Sequence, residues 1–169
     1  MITMIDVKFK KLNENAVIPN FKHPGDAGKD LIATSMKYNP KYDRFEYGLG
    51  FATAIPQGYE CSIVPRSSNT KTEAYIPNAP GTIDSGYRGE WFVFFKLRTP
   101  FDTLFLDGDR ELSILEMENE FAPYKVGDAI AQVMLRKVED WEFKEVEDLD
   151  ETERGSDGGL IRDDSNYKV

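Results

Sequence analysis

The residue types best suited to chemistry fall in four short segments. In segment 65–68 (PRSS), Arg66 and two hydroxyls, Ser67 and Ser68, stand between an apolar strand and a helix-forming run. A helix start presents free N–H groups and a positive dipole end, and with a guanidinium and hydroxyls beside it such a place binds phosphate. The same Ser-Ser pair also reads as an ordinary helix cap. Segment 81–90 (GTIDSGYRGE) reads as strand, tight turn, strand, with Asp84 at a strand end and Tyr87 across the turn. Its glycines at 81, 86 and 89 suit close backbone approach to something flat or small, and a plain Asp-Ser-Gly hairpin is the alternative. Segment 27–31 (AGKDL) puts Asp30 just after a glycine turn, where a carboxylate can meet a hydrated cation. Segment 127–132 (GDAIAQ) carries the amide of Gln132 in an otherwise apolar strand, and a buried amide needs a partner from backbone or ligand.

These segments need strands to hold them, and most of the chain reads as strands. Runs rich in Val, Ile, Phe and Tyr, broken by Pro, Gly and Asn, cover 5–10, 59–64, 91–97 and 129–135. The run 91–95 (WFVFF) is apolar without alternation, which predicts cover on both faces. A helical period is convincing only over 68–74, with Ser67 or Ser68 as N-cap. The expectation is an all-β domain with one short helix. Residues 98–126 look like an added module: 103–115 places Asp107-Gly108 between alternating apolar runs, a hairpin signal, and the return through polar residues and Pro123 offers little to anchor a core. Exposure makes this module a candidate contact surface.

Composition narrows the function. The 169 residues provide one domain's worth of chain. No run approaches a membrane span, and the N-terminus lacks a signal peptide's apolar stretch. One cysteine, Cys61, forms no internal disulfide, so a reducing cytoplasm is the expected location. One histidine, His23, excludes multi-His zinc sites, and its His-Pro-Gly setting argues against a Ser-His-Asp triad; neither residue is given a role. The net charge of −9 is concentrated in 139–153, which holds nine acids and one lysine. That strip reads as a solvated, self-repelling strand or linker, or as a patch that selects a basic partner. A basic patch with interleaved aromatics is missing, so nucleic-acid binding is not expected.

Taken in order, the four segments resemble the trimeric dUTPases, the dUTP nucleotidohydrolases. AGKDL resembles that family's first motif, PRSS its second, NAPGTIDSGYRGE (78–90) its third and GDAIAQ its fourth. The likeness covers roughly residues 3 to 155 outside the module at 98–126. It implies a distorted β-barrel or jelly roll, assembled as a homotrimer with sites between subunits, that cleaves dUTP between the α- and β-phosphates with Mg²⁺. By this resemblance Asp84 activates the attacking water, with Gln132 and Arg66 beside it as catalytic groups. Tyr87 packs on the deoxyribose and excludes a 2′-hydroxyl. Asn78, with backbone groups at Gly81 and Ile83, reads uracil, and the tight hairpin leaves no space for thymine's methyl group. Arg66, Ser67, Ser68, Gln132 and Arg154 bind phosphate, and Asp30 holds the metal's water ligands rather than the metal, as suits Mg²⁺.

Two departures from the family pattern set further expectations. The fifth motif begins correctly at Arg154-Gly155-Ser156-Asp157-Gly158-Gly159, but residues 160–169 lack the aromatic lid and the Ser-Thr pair. Arg154 is expected to reach the phosphates while closure is weaker or made differently, so 156–169 is an atypical arm on a domain spanning 1–155. The module at 98–126 resembles inserts of phage dUTPases from Gram-positive hosts, some of which bind the repressor of a resident pathogenicity island. That implies a second, repressor-binding role, in the host cytoplasm if the chain is phage-encoded. The alternatives are a repressor-binding regulator with weak catalysis on the same scaffold, and a relative of dCTP deaminase.

Overall fold

A computed structural model describes residues 4–98 and 113–152. Among the described residues ten strands run in the order β1 (Lys8–Lys11), β2 (Lys29–Ile32), β3 (Ser35–Asn39), β4 (Arg44–Gly48), β5 (Phe51–Ala54), β6 (Tyr59–Pro65), β7 (Ala74–Tyr75), β8 (Gly81–Ile83), β9 (Phe92–Leu97) and β10 (Ala129–Lys137). All pairings are antiparallel, in sheets ordered β2-β10-β6-β8 and β3-β4-β9-β7 with a separate pair β1-β5. Among the described residues the sheets do not join into a closed barrel. Both larger sheets feed one core: Leu31, Ile63 and Ile130 from the first meet Phe45, Tyr47, Val93 and Phe95 from the second. Burial of such side chains, each contributing about 1.5–3 kcal/mol, holds the sheets together.

Four strands match the apolar runs of the sequence, and three expectations need correction. The run 91–95 alternates after all: Trp91, Val93 and Phe95 are buried while Phe92 is 40% exposed. Phe92 instead lies parallel to Phe94, ring centroids 6.3 Å apart, on the outer face of β9. The helix expected over 68–74 is a single 3-10 turn, Ser67–Lys71, closed where Thr72 N donates to Asn69 O at 3.0 Å. Its start is not capped by serine; Asn69 Oδ1 accepts from the Arg66 N–H at 3.1 Å.

The third correction concerns the module. Residues 99–112, with the Asp107-Gly108 turn, lie outside the described residues, but Ile114–Phe121 forms an α-helix, α1, where a strand was expected to end. Ser113 caps it, accepting from Glu116 N at 3.3 Å while Glu116 Oε2 accepts from Ser113 N at 2.9 Å. This Ser-x-x-Glu capping box is legible in the sequence and marks a helix start. The segment is also well anchored. Met117 is buried, Phe121, Ala122 and Tyr124 line the core, and Glu118 Oε1 accepts from Tyr38 N at 2.6 Å. The buried Tyr47 hydroxyl donates to Tyr124 O at 2.8 Å and accepts from Tyr124 N at 3.1 Å.

The chain divides into two compact units, Met1–Glu139 and Asp140–Val169. In the second, residues 140–152 carry no helix or strand and are exposed, as expected of a self-repelling acidic strip. Within it Trp141 and Phe143 meet edge to face, 4.7 Å between centroids.

Candidate active site

Strand register brings three of the four motif segments together. β10 lies between β2 and β6, so Gln132 stands opposite Asp30 on one side and Val64 on the other. Arg66 follows the end of β6, and its guanidinium crosses β10 to reach β2. Its Nε donates to Asp30 Oδ1 at 3.1 Å, its Nη2 to Asp30 Oδ2 at 3.2 Å and its Nη1 to the Ala129 carbonyl at 2.8 Å. Gln132 Nε2 donates to Asp30 Oδ1 at 3.0 Å, which supplies the partner that an amide in an apolar strand needs. Ser68 Oγ lies 3.4 Å from Arg66 Nη1, and Ser67 is exposed beside it.

Gly28 lies close against Gln132 just before β2: a Cβ there would stand 3.1–3.3 Å from three side-chain atoms of Gln132, so a larger residue would press the amide aside by a few tenths of an ångström. Gly127, with φ +95°, makes the turn into β10 in a region that favours glycine.

Among the described residues Arg66 has one Nη2 hydrogen uncommitted, and Gln132 keeps its Oε1 and one amide hydrogen. These point the cluster toward an anionic ligand with hydrogen-bonding oxygens. A five-residue 3-10 turn has no useful dipole, so what this place offers an anion is the Arg66 guanidinium and two hydroxyls rather than a helix start. The described residues contain no group of three or more carboxylate, thiol or imidazole side chains able to cage a metal. Asp30, with three N–H donors on its two oxygens, has room for a water on Oδ2 and little else. That fits an ion that keeps its waters and takes other ligands from a phosphate chain, as Mg²⁺ does.

The fourth segment lies elsewhere. Residues 81–90 are not a hairpin: β8 pairs with β6, whereas β9 belongs to the other sheet, and the stretch between them crosses from one sheet to the other. Asp84 and Tyr87 are exposed on a turn closed by Tyr87 N donating to Asp84 O at 3.1 Å. The Tyr87 ring lies against Gly89, where any Cβ would run into it, and its hydroxyl donates to Glu90 O at 2.9 Å. Exposed Asn78 lies beside Gly81, its Nδ2 3.5 Å from where a Cβ of that glycine would stand. Ile83 sits opposite Cys61, five residues before Arg66 along β6. Asp84 therefore comes level with Glu60, and at a rise of about 3.3 Å per residue it and Arg66 stand about 20 Å apart along one strand. Arg154 lies outside the described residues.

Cys61 is buried in β6, and burial, then the charge of Glu60, push its thiol up to about 11, which leaves it protonated and inert at neutral pH. No helix among the described residues is long and apolar enough to cross a membrane.

Known proteins place this arrangement. The dUTPase family model matches residues 14–103. The deoxyuridine 5′-triphosphate nucleotidohydrolase of Nocardia farcinica is 35% identical over 94% of this chain and 86% of its own length. That of Corynebacterium glutamicum is 36% identical, covering 94% and 95%. Among solved structures, a point mutant of the dUTPase of Staphylococcus bacteriophage 80alpha with dUpNHpp superposes with TM-score 0.67 at 26% identity, over 91% of this chain and 96% of that one. The dUTPase of phage phi11 of S. aureus shares the fold with TM-score 0.63 at 24% identity, over 85% and 97%. With motif segments held on adjacent strands, a family match over more than half its length and relatives above 30% identity along nearly all of it, the chain belongs to the dUTPases, the enzymes that hydrolyse dUTP.

Proposed function

We propose that the chain works as a homotrimer in which Asp84 and Tyr87 of one subunit face the Arg66, Asp30 and Gln132 cluster of another, and that each composite site cleaves dUTP to dUMP and pyrophosphate. The observation that carries this reading is the separation of about 20 Å along β6 between Asp84 and Arg66 within one chain, too far for both to act on one phosphate. A second copy brings the missing half. In this reading Asp84 takes the proton from a water as it attacks the α-phosphate, and the pyrophosphate leaves opposite. Arg66 donates its spare N–H to a phosphate oxygen and, already ion-paired to Asp30, holds its direction as charge develops. Gln132 spans the Asp30 carboxylate and the water or phosphate, and Ser67, Ser68 and Arg154 complete the phosphate contacts. Asn78, Gly81 and Ile83 read the uracil from the free edge of β8, and Tyr87 sits under the sugar. Mg²⁺, when bound, would neutralise triphosphate charge, and Asp30 would accept from one of its waters. The dCTP deaminase alternative gives way to the family assignment.

Pyrophosphate release from dUTP with Mg²⁺, beside dTTP, dCTP and UTP, tests the reaction; release should be selective for dUTP and lost in Asp84→Asn. Mixing Asp84→Asn with Arg66→Ala subunits tests the shared site. Random exchange should restore about a quarter of the parental activity, because a mixed interface can pair an intact Asp84 with an intact Arg66. A mixture as inactive as its parts would refute the composite site, as would a monomer by light scattering.

A second reading is a repressor-binding role through the segment 98–126. It is supported by likeness to the Staphylococcus bacteriophage 80alpha enzyme, 25% identical in one of its structures with TM-score 0.63, one of the phage dUTPases described as controlling transfer of virulence genes. Because α1 packs on the core, deletion of 99–112 alone is the right test; it should weaken repressor binding and spare dUTP hydrolysis.

A further inference from the structure

We propose that Arg88 is a positioning residue of the dUTP site: its guanidinium ties the Asp84 turn into one shape, and so aims the Asp84 carboxylate and seats the Tyr87 ring. This rests on the roles proposed above for those two residues.

The turn needs such a tie because the sheets do not supply one. β8 ends at Ile83, β9 begins at Phe92 in the other sheet, and no ladder joins the two. From Asp84 to Gly89 every residue except Ser85 is exposed, and a Cβ at Gly86 would meet nothing. The backbone of the turn is closed by the single bond from Tyr87 N to Asp84 O. A glycine in the middle of an unpacked turn gives it wide conformational freedom.

Arg88 removes that freedom. Its Nη1 donates to Ser85 O at 2.6 Å and to Tyr87 O at 2.8 Å, one hydrogen each, so it joins the two carbonyls that flank Gly86. Bonds from a charged donor are the stronger kind. Arg88 also lines a hollow of about 270 Å³ together with Lys8 and Lys10. The far end of the segment is fixed separately. Glu90 Oε1 accepts from Gly50 N at 2.9 Å, and the Tyr87 hydroxyl is held on Glu90 O. Glu90 therefore anchors the ring's outer end, and Arg88 holds the backbone that carries both ring and carboxylate. Lysine does not substitute, since its ammonium ends about one bond short of the guanidinium nitrogens and lacks the planar fork.

The experiment compares parent, Arg88→Ala, Arg88→Gln and Asp84→Asn in the full-length protein, reading kcat and KM for dUTP and UTP, melting temperature and molecular mass. Misplacement of a catalytic group by about 1 Å costs up to about 100-fold, so Arg88→Ala and Arg88→Gln should lose about 10- to 100-fold in kcat. The preference for dUTP over UTP should shrink several-fold, with melting temperature and mass unchanged, and added guanidinium ion should restore part of the kcat of Arg88→Ala. Parental kcat and selectivity in a folded variant would overturn the proposal. So would a loss of activity that follows a fall in melting temperature with selectivity intact. If Asp84→Asn keeps its turnover, the assignment of Asp84 fails first, and the Arg88 role falls with it.

Discussion

Replacing Asp30 by asparagine probes the cluster that ties β2, β10 and β6 together. The carboxylate accepts three N–H groups, two from Arg66 and one from Gln132, and the side chains of Asp30 and Arg66 are only 19% and 21% exposed. Asparagine keeps the size but turns one oxygen into a donor. With its oxygen at the Oδ1 position, its NH₂ faces Arg66 Nη2; flipped, its NH₂ faces both Arg66 Nε and Gln132. Either way a charged donor loses its acceptor and the guanidinium loses its counter-charge. A charged hydrogen bond contributes about 1.5–3 kcal/mol, and stranding one partner of a fully buried pair costs about 3–5 kcal/mol. For a pair with a fifth of its surface in water, about 2–3 kcal/mol is expected. At about 2–4 °C per kcal/mol, the melting temperature should fall by about 4–12 °C. The assay is denaturant unfolding at one fixed protein concentration, because self-association adds to stability by mass action. A double-mutant cycle with Arg66→Met isolates the pair: once the guanidinium is gone, Asp30→Asn should cost little more, giving a coupling of at least about 1.5 kcal/mol. Strict additivity, or a loss below about 0.5 kcal/mol for Asp30→Asn, would refute the bridging role.

Burial raises the Glu46 pKa, but hydrogen bonds from Arg44, Asn39 and Lys37 outweigh it and hold the carboxyl below its ordinary 4.5. A depressed folded pKa gives stability that is present above pH 4.5 and lost as pH falls through the folded value, so Glu46→Gln should flatten the acid limb of an unfolding-versus-pH curve. An unchanged limb would show that the bonds do not favour the charged form. Tyr47→Phe strands the Tyr124 N–H and carbonyl in the core, and should cost about 1.5–3 kcal/mol by chemical denaturation, with loss of α1 protection in hydrogen exchange. Cys61, buried with its thiol pushed up to about 11, should resist an aromatic disulfide reagent at pH 8 until denaturant is added; rapid native labelling would contradict its burial.

The candidate site residues stood out in the sequence because each lies in a short local motif. Arg66, Ser68, Asp30, Gln132, Asp84 and Tyr87 sit in short segments whose residue types announce phosphate, cation and water chemistry before any contact is known. The strands at 59–65 and 129–137 were equally plain, since apolar β-branched runs bounded by Gly and Pro carry their own period. The α1 helix was hidden behind an apolar hairpin pattern although Ser113 and Glu116 spelled its capping box. The run 91–95 misled because two phenylalanines, Phe92 and Phe94, lie on the outer face.

The sequence by itself determined the all-β class, the motif residues and the confinement of the acidic charge to the strip after 138, because each depends on residue type and near neighbours. Only the tertiary structure decided that Arg66 bridges three strands to Asp30, that Gly28 lies close against Gln132, and that 81–90 crosses between sheets. Each of these joins residues far apart in the chain, and strand register, which no local pattern encodes, sets which of them meet. The same register puts Asp84 and Arg66 at opposite ends of β6, a separation that no reading of either motif alone contains.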